Sequence, residues 1–189
     1  EIQKFSDEDL IIISDIDEIP NLEKFQYKNK VTIFMHKMFY YKLNLIYPNF
    51  LWPGSKICKK KYLISPQWLR NIKDRNYAWW RIDTFFSEKK YNDILFIENG
   101  GWHFSYLKNP REIEKKLKSY LHHIDYDFNP VGEKKIKEMI DNKKTIYNLE
   151  ADQRVNQFDG GNKLTKIDIK SLPDFILKNK DKLNNWIED

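Results

Sequence analysis

The chain has 189 residues, a length that fits one domain, and its hydrophobic content of 41% is enough for a buried core. No apolar run approaches the ~20 residues of a membrane-spanning helix, and the single cysteine, Cys58, excludes an internal disulfide framework and a cysteine-built zinc site. The net charge of +5 comes from basic residues scattered among acids. We therefore expect a solvated surface and no nucleic-acid partner.

The first predicted element is a strand that ends in acids. Leu10–Ile13 is a run of four apolar residues, three of them β-branched, which is typical of a strand buried on both faces. Residues two apart in an extended chain point to the same side, so Asp15 and Asp17 are predicted to lie side by side. A divalent cation relieves the repulsion between such carboxylates, and oxygen ligands suit Mg²⁺ or Mn²⁺. The alternative interpretation is an ordinary polar turn.

The middle of the chain alternates strands with short helices. Asn21 can cap one helix, and Ser65 followed by Pro66 opens another. His36 lies on a strand pattern and is assigned a structural role, while Cys58 is expected to be a small core residue. The predicted elements are helices at 22–28 and 66–73, strands at 31–35, 39–45 and 55–64, and a loop at 48–54.

A second buried strand is predicted at 93–98, ending in Glu98. The glycine pair that follows, Gly100 and Gly101, allows a tight turn and close backbone approach to a ligand. Further helices are predicted from Asn109-Pro110 to near His122, from Asn129-Pro130, and from Leu172-Pro173. Core packing is the ordinary role of the aromatic side chains, but a sugar-stacking platform would come from Tyr40, Tyr41, Trp52, Trp79 and Trp80.

Four motifs occur in order between about residues 7 and 184. They are Asp15-Ile16-Asp17-Glu18-Ile19-Pro20, then Gly101-Trp102-His103-Phe104-Ser105, then the helical run 116–122 with its Lys, Ser and His, and finally Leu172-Pro173-Asp174-Phe175 with Asn179. Together they resemble glycosyltransferase family 17. That family includes the β-1,4-N-acetylglucosaminyltransferase that adds bisecting GlcNAc to N-glycans, and it has bacterial and large-DNA-virus members.

The resemblance implies an α/β fold of the GT-A-like (Rossmann-like) type, with a mixed sheet flanked by helices. Residues 1–189 would form a single glycosyltransferase domain. Family members carry earlier βα units that hold the nucleotide base and ribose, so we expect this chain to be the C-terminal two-thirds of a longer catalytic domain. Members occur in the Golgi lumen, in bacteria and in viral infection, and a cytoplasmic or virus-associated location is favoured here over the Golgi lumen.

The resemblance also implies metal-dependent, inverting transfer of a sugar, GlcNAc in the first place, from a UDP-sugar donor to a glycan acceptor. Mn²⁺ or Mg²⁺ would be bound by Asp17 directly, and Asp15 would bind the metal or a ribose hydroxyl. His103 would contact the metal or the diphosphate, and Trp102 and His122 would line the donor site. The alternative roles are a buried structural histidine, a core tryptophan and a cation at a helix C-terminus.

Inverting transfer requires a general base that accepts the proton of the acceptor hydroxyl. Glu98, before the glycine pair, is the first candidate, and Asp83, which follows Arg81, is the second. Either can instead be an ordinary salt-bridge partner. Glu18 is a further catalytic candidate that supports the metal ligands, or else an acid at a helix N-terminus.

Two other classes of function fit parts of the pattern. A transferase-like domain without catalysis would bind a glycan or a protein, and it would not need metal. A haloacid-dehalogenase-type phosphohydrolase also has an Asp-x-Asp after an apolar strand, with the first Asp as nucleophile. That pattern requires Thr or Val where this chain has Ile19.

Overall fold

The computed structural model describes residues 4–119, 130–146 and 161–189. These residues form a mixed α/β fold with one open six-stranded sheet. The strands are β1 (Leu10–Ile13), β2 (Glu18–Pro20), β3 (Val31–Tyr40), β4 (Leu45–Lys59), β5 (Ile94–Ser105) and β6 (Thr165–Lys166). The α-helices are α1 (Pro66–Asn71), α2 (Pro110–Ser119), α3 (Glu133–Asp141) and α4 (Asp174–Lys178).

The strand order in the sheet is β1-β4-β3-β5-β2, and β6 pairs with β4. β1 is antiparallel to β4, β2 is antiparallel to β5, and β6 is antiparallel to β4. The predicted α/β class, with an open, mixed sheet flanked by helices, is confirmed. Among the described residues no helix is long and apolar enough to cross a bilayer.

The prediction that Leu10–Ile13 is buried on both faces is wrong. β1 stands at one end of the strand order, and its residues alternate between exposed and half-buried. Leu10 and Ile12 are exposed, whereas Ile13 packs against the core. A run of four apolar residues has no alternation that would reveal an edge position, so the pattern alone could not distinguish the two cases.

Two predicted breaks in the sheet are absent from the described strands. The predicted loop at 48–54 belongs to β4, and the predicted tight turn at Gly100 and Gly101 belongs to β5. Asn49 (φ 60°) and Asn99 (φ 50°) adopt the left-handed conformation inside these strands. Asparagine tolerates this conformation better than most residues, so the chain bends locally and the strand continues.

The caps predicted from sequence place several helices correctly. The Ser65 side chain accepts a hydrogen bond from the Trp68 N–H and begins α1, and Asn21 caps a shorter 3₁₀ helix, Leu22–Lys24. α2 begins at Pro110 as predicted, whereas its predicted end near His122 lies outside the described residues. The helix predicted from Asn129-Pro130 begins later, at Glu133.

The contacts divide the chain into two compact units, Glu1–Lys37 with Leu51–His103, and Met38–Phe50 with Phe104–Asp189. In the second unit, α2 and α3 contact each other, and each buries two apolar side chains. The core of the first unit consists of Val31, Ile33, Cys58, Trp68, Leu69, Ile72 and Ile94. Burial raises the pKa of the Cys58 thiol to about 11, which agrees with its predicted role as a core residue.

Candidate active site

An acidic turn joins β1 to β2 in the first unit. A hydrogen bond from the Glu18 N–H to the Asp15 carbonyl (3.0 Å) closes the turn, and Ile16 is fully exposed at its tip. The prediction that Asp15 and Asp17 lie side by side on an extended strand is wrong. The turn directs the Asp15 carboxylate to Arg70 and the Asp17 carboxylate toward His103, so the two acids have different partners.

The acidic turn is attached to the sheet by two hydroxyl groups. Ser14 Oγ donates to the Glu18 carbonyl (3.0 Å) and shares a hydrogen bond with Ser55 Oγ on β4 (2.7 Å). Because the Ser14 proton is used toward Glu18, Ser55 is the donor in the second bond. The turn is therefore held by Ser14, which directly follows β1, and through it by Ser55 on the neighbouring strand β4.

The pairing of β2 with β5 brings two distant sequence motifs together. Glu18 lies opposite His103, Ile19 opposite Trp102, and Pro20 opposite Gly101. The Asp-x-Asp-Glu-Ile-Pro segment and the Gly-Trp-His segment are thus direct neighbours in the sheet. Sequence analysis selected both motifs but could not predict that they pair.

His103 lies between two carboxylates. Its Nε2 is 3.7 Å from Asp17 Oδ2, its Nδ1 is 3.9 Å from Glu18 Oε1, and its ring contacts Trp52 edge to face with centroids 5.1 Å apart. Neighbouring ligands of an octahedral Mg²⁺ or Mn²⁺ lie roughly 3 Å apart, and opposite ones roughly 4 Å. The separation of 3.7 Å between Asp17 and His103 lies between these two values, so the two side chains would have to shift for both to bind one octahedral ion.

The Glu18 carboxylate is buried, and each of its two oxygens accepts a hydrogen bond. Trp52 Nε1 donates to its Oε1 (2.9 Å), and the Asp15 N–H donates to its Oε2 (3.1 Å). Burial raises the pKa of Glu18, although both hydrogen bonds act in the opposite direction. The alternative that Glu18 is an acid at a helix N-terminus is wrong, because Glu18 begins strand β2.

Two basic side chains that sequence analysis did not select lie near the acidic turn. Arg70, on α1, forms an ion pair with Asp15. The buried Lys56 Nζ donates to the carbonyls of Arg70 (2.9 Å) and Ile72 (2.5 Å), and so fixes the C-terminal end of α1. The Ser65 cap predicted α1 itself, but no local pattern shows which side chain a helix turns toward a distant loop.

A cavity of about 250 Å³ opens beside the acidic turn. Its polar lining combines acids, bases, a hydroxyl and an indole, contributed by Ser14, Asp15, Glu18, Trp52, Lys56 and Arg70. Such a mixture suits a ligand that carries phosphate oxygens and a flat or apolar part.

The remaining predicted site residues that the structure describes do not line this cavity. Trp102 is half-buried on β5, and Glu98 is exposed on the same strand. Asp83 accepts hydrogen bonds from Arg81 (2.8 and 2.9 Å) and from Lys90 (2.7 Å), and these hold its pKa at about 2. His122 lies outside the described residues.

His36 supports the site from within the sheet. Its ring is fully buried between two glycines, since a β-carbon at Gly54 would lie 2.3 Å from its Nδ1 and one at Gly101 2.9 Å from its Nε2. In the described part of the chain neither ring nitrogen has a hydrogen-bond partner. Burial, and then the charge of His103, lower the pKa of His36 to about 4. A neutral, structural histidine agrees with the prediction.

Metal binding would depend on few protein ligands. Within residues 4–119, 130–146 and 161–189, no group of three or more His, Cys, Asp or Glu side chains is arranged to hold an ion. Asp17 and His103 would supply two ligands at most, and Asp15 is paired with Arg70. Mg²⁺ commonly uses one or two carboxylates and completes its coordination with water and substrate phosphates, so this pair remains compatible with a metal–diphosphate complex.

No family model, curated protein or solved structure matches this chain. Its function is therefore inferred from its own residues and their geometry.

Proposed function

We propose that this chain is a GT-A-like glycosyltransferase of the family-17 type that transfers a sugar, GlcNAc in the first place, from a UDP-sugar to a glycan hydroxyl with inversion. The observation that supports this proposal is the register of β2 and β5, in which Glu18 lies opposite His103. These residues belong to two of the motifs on which the resemblance rests. The two motifs are far apart in the sequence, and their pairing in the sheet supports a shared site.

Asp17 and His103 would hold Mn²⁺ or Mg²⁺. The ion, when bound, would neutralise the charge that develops on the departing diphosphate. Arg70, which pairs with Asp15, supplies a positive charge at the cavity beside the acidic turn. Exchange of its Asp15 partner for a phosphate oxygen would leave Asp15 available to the metal or to a ribose hydroxyl.

The three acids proposed as catalytic differ in their availability to an acceptor. Both oxygens of Glu18 accept hydrogen bonds, which suits positioning of the turn beside His103. The ion pairs that lower the pKa of Asp83 make it a weak proton acceptor. Glu98 is exposed on β5, the strand that carries His103, and we therefore assign it as the general base.

Release of UDP tests the proposal directly. A panel of UDP-sugars is incubated with the chain in Mn²⁺ and in EDTA, for the wild type and for Asp17→Asn. We expect Mn²⁺-dependent release that Asp17→Asn abolishes. Asp174→Asn is the matched control, because Asp174 is a highly exposed acid in the other unit whose nearest basic partner is Lys178 at 3.7 Å.

Two results would contradict the proposal. Release that continues in EDTA would exclude the metal role of Asp17. The absence of release, together with no UDP-induced rise in melting temperature, would exclude a working donor site in this chain.

A non-catalytic glycan- or protein-binding module is the second candidate. The observation that favours it is the ion pair between Asp15 and Arg70, which occupies one carboxylate of the Asp-x-Asp segment. Such a module would bind its ligand equally well in EDTA. Glycan binding that is unaffected by EDTA and by Asp17→Asn would support this candidate over the transferase.

A further inference from the structure

A loop of the first unit, residues 73–91, stands on a fixed base. Its neck is closed by backbone hydrogen bonds from the Lys73 N–H to the Lys89 carbonyl (2.9 Å) and from the Tyr77 N–H to the Tyr91 carbonyl (3.4 Å). The buried Trp68 donates through Nε1 to the Glu88 carbonyl (2.7 Å). The loop is thus attached to the core at its base.

The distal part of the 73–91 loop carries a group of exposed apolar side chains that we call the apolar tip. Each is between 68% and 86% exposed, and the group consists of Trp79, Trp80, Ile82, Phe85 and Phe86. The two indole rings contact each other with centroids 6.0 Å apart. A dense exposed apolar group of this size indicates an interaction surface.

Successive turns place two of the apolar side chains of the tip on one face. Hydrogen bonds from the Arg81 N–H to the Ala78 carbonyl (3.0 Å) and from the Phe85 N–H to the Ile82 carbonyl (3.1 Å) form successive 3₁₀-type turns. Side chains three residues apart in such turns lie above one another. Ile82 and Phe85 therefore share one face, and the polar pair Arg81 and Thr84 shares another.

Three cations of the same loop lie near the Tyr77 ring, and we call them the basic collar. Arg75, Arg81 and Lys90 all approach the Tyr77 ring, with distances to its centroid of 5.9, 5.3 and 5.7 Å. Asp83 is the acid that pairs with Arg81 and Lys90. Over the whole 73–91 loop, five Lys or Arg residues against three Asp or Glu residues give a net charge of +2.

We propose that the 73–91 loop docks the protein on the surface of an anionic lipid bilayer. Tryptophan and phenylalanine partition into the interfacial region of a bilayer, and nearby Lys and Arg side chains are attracted to anionic headgroups. The apolar tip and the basic collar supply these two contributions within one loop. This inference is independent of sugar transfer, because none of the collar or tip residues lines the cavity beside the acidic turn.

The composition of the tip favours a bilayer over a sugar. A sugar-binding platform pairs a ring with hydrogen-bonding groups, whereas Ile82, Phe85 and Phe86 have no polar side-chain atom. The net positive charge of the loop also favours an anionic surface over an uncharged glycan.

Co-sedimentation of the full chain with lipid vesicles tests this inference. We expect binding to vesicles of phosphatidylcholine with phosphatidylserine, weaker binding to phosphatidylcholine alone, and a decrease with added salt. Phe85→Ser with Phe86→Ser should lower the partition coefficient about tenfold or more. Arg75→Gln should lower it about fivefold on the anionic vesicles only.

Phe175→Ser is the matched control, since Phe175 is 68% exposed but lies in the other unit. It should leave vesicle binding unchanged, and far-ultraviolet circular dichroism should show that every variant is folded. Equal binding by the wild type and by the Phe85→Ser, Phe86→Ser variant would overturn the inference. So would a wild-type dimer that this variant abolishes without any vesicle binding, because the tip would then be a protein interface.

Discussion

Trp52 donates a hydrogen bond from its indole Nε1 to the buried Oε1 of Glu18, at 2.9 Å. The same indole contacts the His103 ring edge to face. One side chain of β4 therefore orients both Glu18 of the turn and His103 on β5. Nothing in the sequence around Trp52 indicates this role, because its two partners come from segments distant in the chain.

Trp52→Phe should destabilise the protein through Glu18. Burial raises the pKa of Glu18, so the folded state favours the neutral acid, and its charged form is tolerated with the help of the indole N–H. Loss of a hydrogen bond to a charged, buried group costs about 1.5–3 kcal/mol. We expect urea unfolding at neutral pH to show a free energy of unfolding that is lower than that of the wild type by this amount.

The cost of Trp52→Phe should also depend on pH. Because the folded-state pKa of Glu18 lies above its ordinary value of 4.5, the unfavourable charge appears as the pH rises through the folded pKa and is absent below 4.5. The difference from wild type should therefore shrink at acid pH. Trp79→Phe, at an exposed indole, is the control and should change stability little at either pH. A pH-independent cost would exclude Glu18 as its origin.

His103→Gln should weaken the metal-dependent binding of UDP. Glutamine keeps a polar group at this position but removes the imidazole nitrogen that faces Asp17 Oδ2 at 3.7 Å. We expect UDP with Mn²⁺ to raise the melting temperature of the wild type, EDTA to remove that rise, and the variant to need about tenfold or more Mn²⁺. Unchanged Mn²⁺ dependence in His103→Gln would show that this histidine is not a metal ligand.

His36 should make the protein less stable in mild acid. Its folded-state pKa of about 4 lies below the ordinary value of 6.5, so the unfolded chain binds the proton more tightly. The stability from the neutral ring is complete above 6.5 and is lost as the pH falls toward 4, a change of about 3 kcal/mol.

Urea unfolding of the wild type and of His36→Leu across this range measures the contribution of the imidazole. The variant removes the titrating group, so its stability should fall less steeply between pH 6.5 and 4. Acidic residues titrate in both proteins and cancel in the difference. Parallel profiles for the two proteins would contradict the assignment of this loss to His36.

Gly54→Ala and Gly101→Ala should both destabilise the sheet, but for separable reasons. The nearest atoms to a β-carbon at Gly54 all belong to the His36 ring, whereas a β-carbon at Gly101 would also lie 2.3 Å from the Ile19 carbonyl oxygen. Crowding of this kind in a packed interior costs about 1–3 kcal/mol or more. Both variants should show this cost in urea unfolding.

A double-mutant cycle with His36→Ala separates the two glycines. We expect His36→Ala to relieve most of the Gly54→Ala cost and to leave much of the Gly101→Ala cost, because the backbone clash persists. Additive costs in both cycles would show that neither glycine is required by the histidine ring.

Local signals predicted the elements whose causes are local. The Ser65 cap and Asn109 before Pro110 placed the starts of α1 and α2, since a cap acts on the N–H groups of its own first turn. The long strands β4 and β5 were broken in the prediction because proline and glycine usually end a strand. Left-handed Asn49 and Asn99 absorb the irregularity instead.

The sequence predicted which residues belong to the candidate site, but it did not predict how they are arranged in space. Asp17 and His103 were selected from separate motifs, and the register of β2 and β5 brings them together. That register depends on long-range pairing, which no local window contains. Arg70 and Lys56 were missed for the same reason, because their roles follow from where α1 packs.

The edge position of β1 has a consequence for how copies of the chain behave at high concentration. An end strand with exposed Leu10 and Ile12 is a template on which another chain could add, and so a nucleus for aggregation. In the part of the chain that the structure describes, this strand is only four residues long and is bracketed by Asp9 and Asp15. Charges at both ends of a short apolar strand act as gatekeepers against fibre growth. Asp15 would thus protect the chain against self-assembly as well as line the cavity. Removal of its charge should therefore lower the solubility of the protein, whether or not it also changes activity.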